Sequence, residues 1–134
     1  NYYRLKIYYL SQTTGIWIPL AFTKSDPSLT GYNSYILNDA SVIFSDELFN
    51  GSNKVISTVA PSGIVSSNTG DKYKVEFSHI SNDFFEYYRS LQRAQDSKEI
   101  SFQGGYNNAV VVHTNIKNGL GILATQTSTT TILK

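Results

Sequence analysis

A chain of 134 residues is the length of one domain and long enough to bury a substantial core. Its net charge of +1 comes from scattered basic residues, so it has no basic stripe of the kind that nucleic acid or an anionic membrane surface requires. The lack of cysteine excludes disulfides and thiolate metal sites, and no apolar run approaches the ~20 residues of a membrane-spanning helix.

The segment "YYRLKIYYL" alternates, with Tyr3, Leu5, Ile7 and Tyr9 on one face and Arg4, Lys6 and Tyr8 on the other. That period of two predicts a half-buried strand. After the turn "SQTTG", the segment "IWIPLAF" returns as a strand, and Pro19 removes a ladder donor, which places it at an edge or a bulge. Residues 23–41 are rich in Ser, Asp, Pro, Gly and Asn and read as a long loop with a short strand at Tyr35–Leu37.

The apolar run "SVIF" leads into "SDELFNG". There Ser45 or Asp46 suits the start of a helical turn, Glu47 complements its dipole, and Asn50-Gly51 ends it. "KVISTVA" is strand-like and "PSGIVSSNTGD" a loop. The sharpest alternation is "KYKVEFSH", with Tyr73, Val75, Phe77 and His79 on one face and Lys72, Lys74, Glu76 and Ser78 on the wet one.

One helix is expected over "SNDFFEYYRSLQRAQ", with Ser81 as N-cap and Asp83 in the first turn. Phe84, Tyr87, Tyr88 and Leu91 form its core-facing stripe, with Phe85 off that stripe and Glu86 within reach of Arg89. "SFQGGYNN" is a loop, "AVVVHT" a buried strand, and the tail "TQTSTTTIL" a closing strand. Between the last two lies "NIKNGLGILA". No helix or Lys-Ser/Thr follows its glycines, so it is not a phosphate loop. Asn118-Gly119 reads instead as a positive-φ turn, and Gly121 as a close approach before Ile122 and Leu123 re-enter the core.

Few residues point to chemistry. His79 and His113, the only histidines, both fall in expected strands and could meet as two metal ligands; Asp83 or Glu76 is the candidate third, though the spacing promises neither. Ser78, Ser81, Asp83 and His79 cluster in sequence without the sharp elbow of a hydrolase nucleophile. Asp46, Glu47, Asn50 and Asn53 offer calcium-type oxygens outside any EF-hand register. Trp17, Tyr8, Tyr32 and Tyr35 form a candidate stacking platform for a sugar ring or peptide, weighed against ordinary sheet packing.

Three stretches in order carry a resemblance: "FSDELFNG" at Phe44–Gly51, "ISNDFFEYY" at Ile80–Tyr88 and "NIKNGLGI" at Asn115–Ile122. With the strands between them they cover about residues 41–124. They resemble the domain of unknown function 4249 family of Bacteroidota cell-surface lipoproteins, with Leu123 where the family carries phenylalanine. The resemblance implies an exported lipoprotein held at the outer membrane through a lipid anchor outside this chain. It also implies a preceding β-domain, and a role beside a TonB-dependent transporter in nutrient uptake. No catalytic residues, cofactor or metal come with it.

The chain is therefore expected to be a single mainly β domain over residues 1–134, the C-terminal part of a longer lipoprotein. The expected architecture is an antiparallel β-sandwich or partly open barrel, with one amphipathic α-helix packed on a sheet. The expected function is that of a non-enzymatic cell-surface module. It would serve as accessory subunit or ligand-capture component of a TonB-dependent transporter, with a glycan or peptide as ligand and no nucleic-acid partner. The alternatives are a metal-dependent enzyme using His79 and His113, and a purely structural scaffold.

Overall fold

The computed structural model describes residues 1–24, 26, 31–34, 40–59, 72–102 and 110–133. The strands are β1 (Tyr2–Leu10), β2 (Trp17–Pro19), β3 (Thr23–Lys24), β4 (Gly31–Ser34), β5 (Ser41–Ser45), β6 (Thr58–Val59), β7 (Tyr73–Ile80) and β8 (Gln126–Leu133), and the helix is α1 (Asn82–Phe102). The main sheet runs β4-β5-β1-β7-β8 and every pairing in it is antiparallel. β2 lies against the far end of β1, where Tyr8, Tyr9 and Leu10 pair with Pro19, Ile18 and Trp17. β1 thus has two neighbours in line along one edge and β7 along the whole of the other. Pro19 sits on this short outer strand, where a missing N–H costs nothing. The sheet is open, not closed into a barrel, and β3 and β6 form a separate two-stranded ribbon.

The alternation in β1 and β7 determines what each face buries. The register sets Tyr3 opposite Phe44 and His79, and Leu5 opposite Val42 and Phe77. Leu5, Val42, Phe44 and Phe22 form the core of this face, joined by Tyr3, Ile7, Phe49, Ile56 and Val75. On the opposite face Ile43, Ile80 and Phe85 form the second core, with Tyr2, Phe84 and Tyr88 packed on it. All five residues of β5 are buried, because both cores meet there.

α1 covers the Tyr2 face. The Ser81 hydroxyl accepts the Phe84 N–H at 3.4 Å, which confirms the expected cap. The helix continues to Phe102, past the expected end at Gln95. Its buried side differs from the expected stripe. Phe85, not Leu91, is the deepest residue, because the first turn meets the sheet at Tyr2 and Ile80. Phe84 and Tyr88 stack on each other at 4.9 Å, and Arg89 pairs with Glu86 at 3.2 Å as expected.

Three other expectations are corrected. "AVVVHT" is not a buried strand, since residues 110–115 join no ladder and Val111 is 85% exposed. They run beside α1, where the His113 N–H donates to the Ser90 hydroxyl at 2.7 Å. "SDELFNG" makes consecutive hydrogen-bonded turns, Phe49 N–H to Asp46 C=O and Ser52 N–H to Phe49 C=O, and no helix. "KVISTVA" supplies only Thr58–Val59 as strand. The short strand expected at Tyr35–Leu37 lies outside the described residues. Among the described residues, no helix is long and apolar enough to cross a membrane.

Candidate functional site

Among the described residues, the cover over the Tyr3 face reaches Val75 of β7 but not Phe77 or β8. Leu5, Val42 and Phe44 are closed off beneath Phe22, whereas Phe77 is 38% exposed and all eight residues of β8 are exposed. A pocket of about 290 Å³ opens at this boundary, lined by Tyr3, Phe44, Phe49, Phe77, Asp46 and Lys54 among others. Its floor is a ring cluster. Tyr3 stacks on Phe77 with centroids 5.2 Å apart and leans on Phe44 at 5.6 Å. The three strands that carry these rings are neighbours in the order β5-β1-β7, so the pocket follows directly from the sheet topology.

The rim is the turn after β5. Gly51 takes φ +81, a conformation that a side chain disfavours, and this carries the chain over the pocket. Asp46, buried at the base of the turn, accepts from the Asn1 main-chain nitrogen at 2.6 Å, the Asn1 side-chain amide at 2.9 Å and the Tyr3 hydroxyl at 3.3 Å. Its hydrogen bonds from the Asn1 side-chain amide and the Tyr3 hydroxyl lower its carboxyl. Burial pushes the Tyr3 hydroxyl up, and the charge of Asp46 adds to the effect. The Asp46 carboxylate thus ties the turn to β1 and does not cap a helix. Lys54 is steadied by Asp26 at 3.0 Å.

The candidate aromatic platform is divided. Tyr8 and Trp17 come together on the α1 side of the sheet, and both rings face one ammonium. Lys74 Nζ lies 4.1 Å from the Tyr8 centroid and 5.3 Å from that of Trp17. The Tyr8 hydroxyl donates to Glu76 at 3.3 Å. Tyr32 belongs to β4, in register with Ile43, and Tyr35 lies outside the described residues.

The two histidines are on opposite faces. His79 shares the Tyr3 face and meets the Tyr3 ring edge-on at 5.6 Å. His113 is across the sheet, with Nε2 donating to Asp83 at 2.9 Å. Asp83 is held below the usual carboxylate range by His113 and Asn115. This His–Asp pair joins residues 30 positions apart; the sequence offered Asp83 as a first-turn anion, as a third metal ligand and in the cluster with Ser78, Ser81 and His79, but did not pair it with His113 alone. Among the described residues, no group of three or more His, Asp or Glu side chains is close enough together to hold a metal ion.

The "NIKNGLGILA" loop is closed by Asn115, which accepts from the Leu123 N–H and donates to the Leu123 C=O, both at 2.8 Å. Asn118 has φ +58 and Gly121 φ +98, so the left-handed positions are Asn118 and Gly121. The close approach is at Gly119, where a Cβ would meet Ile116 Cγ2 at 2.8 Å. Around Gly121 such a Cβ would meet nothing within 4 Å. Leu123 does not re-enter the core; it is 82% exposed, and Leu120 at the tip is 95% exposed.

All three sequence stretches that carried the resemblance therefore have structural duties, as pocket rim, helix entry and clamped loop. No curated protein and no solved structure matches the chain. The family model for the domain of unknown function 4249 matches residues 1–132, and the chain belongs to that family.

Proposed function

We propose that the chain is a non-enzymatic ligand-capture module of the cell surface, working as an accessory component beside a TonB-dependent outer-membrane transporter. The observation that carries the capture reading is the open, aromatic-floored pocket of about 290 Å³ under the Phe44–Gly51 turn. Concave sites with an apolar floor and a few fixed polar groups are the usual form of small-ligand sites. Preformed geometry favours binding, because a floor of stacked rings and a turn tied by Asp46 lose little freedom when a ligand arrives. The surface and transporter parts of the reading rest on the family resemblance. In this reading the chain is anchored through a lipid attached outside it.

The test is affinity capture from detergent-solubilised outer membranes of the native host with the tagged full-length protein, followed by mass spectrometry. Stoichiometric recovery of a TonB-dependent transporter supports the proposal. Recovery of the protein alone, with the transporter present in the input, contradicts it.

A further inference from the structure

Resting on the capture reading, we propose that the pocket binds a single neutral sugar ring, stacked on Phe77 and hydrogen-bonded by its hydroxyls to the Asp46–Lys54 rim. Size sets the first limit. About 290 Å³ lies at the low end of small-molecule sites, room for one ring and not for a folded peptide.

The second limit is the pairing of surfaces. One wall is aromatic, with Phe77 stacked on Tyr3 at an interplanar angle of 25° and the residue still 38% exposed. Asp46, Asn50, Ser52 and Lys54 are the polar residues of the turn and its continuation that line the pocket. Acceptors, donors and groups that are both are mixed there. A sugar ring has the matching form, with a C–H face on one side and hydroxyls around its edge that each donate and accept.

Charge supplies the third limit. Asp46 already accepts three hydrogen bonds, from the two Asn1 nitrogens and the Tyr3 hydroxyl. A carboxylate has roughly four acceptor sites, so about one is left for a ligand hydroxyl. Asp46 is held by its hydrogen bonds and Lys54 by its ion pair with Asp26 at 3.0 Å, so an ion would find both charges already partnered. An apolar side chain would fill the aromatic wall, but it would strip water from this rim without replacing the hydrogen bonds. A neutral polyhydroxyl ring avoids all of these penalties.

The test uses isothermal calorimetry and saturation-transfer NMR on the chain. The panel is the methyl glycopyranosides of glucose, galactose, mannose and N-acetylglucosamine, with N-acetylphenylalanine amide as apolar control. At least one glycoside should bind, with Kd of about a millimolar. Phe77→Ala should weaken it at least tenfold. Ser52→Trp, which plugs the rim from an exposed position, should abolish it with melting unchanged.

No glycoside bound, binding unaltered in both variants, or binding of the apolar control alone would each overturn the inference. A longer oligosaccharide that binds as well as its methyl glycoside supports a chain end in the pocket; one that fails supports a free sugar. A transporter captured without sugar binding removes the sugar inference only. Sugar binding without a transporter removes the docking part of the functional reading only.

Discussion

Tyr2 lies on Phe85 with ring centroids 4.4 Å apart and planes 25° from parallel, and this contact joins the first strand to the helix. It is the point at which residues 83 positions apart in the chain lock the two layers together. Phe85 is 5% exposed, so Phe85→Ala should cost about 3–5 kcal/mol by urea denaturation. Leu91→Ala, outside that core, should cost clearly less. Equal losses would restore the stripe expected from helical periodicity.

Asp83 and His113 hold the segment after α1 against the helix start, and this should fail in acid. The Asp83 carboxyl titrates below its ordinary value near 3.8 in the folded chain. Its contribution is therefore fully present above that value and is lost as pH falls through the lower folded value. Amide exchange at His113 should accelerate below about pH 4 relative to the β1 core. Asp83→Asn should show the faster exchange already at neutral pH. Its side chain is 42% exposed, so the global melting temperature should move little.

The clamped loop separates two kinds of glycine. Gly121→Val forces a side chain into φ +98 and should cost about 1–3 kcal/mol of local stability. Gly119→Ala meets only the movable Ile116 side chain and should cost less. Asn115→Ala removes both hydrogen bonds to Leu123 and should raise amide exchange across residues 116–123 by roughly tenfold. All three changes should leave the sheet's exchange unaltered, because the loop is exposed.

Lys74 is shared by Tyr8 and Trp17, the latter the chain's single tryptophan and hence a clean reporter. Lys74→Ala should cost about 1 kcal/mol and shift Trp17 emission to longer wavelength, as the ring loses the lysine stem covering it. An unchanged spectrum would mean that the cation does not sit on the indole in solution.

The elements with intact periodicity were legible in the sequence. β1 and β7 were legible as strands from their alternation, and Ser81 announces α1 because an N-cap acts within four residues of chain. The expected wet face of β7 was wrong, since α1 covers it and Ser78 and Ile80 are buried there, while Phe77 and His79 are exposed. "AVVVHT" misled because its β-branched run mimics a strand, whereas tertiary contact with Ser90 decides its path. Phe85 misled because helical spacing does not say which stripe meets a neighbour. The pocket was hidden for a different reason. Tyr3, Phe44 and Phe77 become adjacent only through the strand order β5-β1-β7, and one sequence does not reveal strand order. Asp83–His113 was hidden likewise, since the pairing depends on where a long connection returns.

The most direct measurement is a two-dimensional amide NMR titration of the 134-residue chain with the best-bound methyl glycoside. Shifts confined to residues 44–54, Tyr3 and Phe77 are predicted, with the Tyr8, Trp17 and Lys74 signals unmoved. Shifts centred on Trp17 and Lys74, with the Phe44–Gly51 turn silent, would contradict the pocket as the capture site.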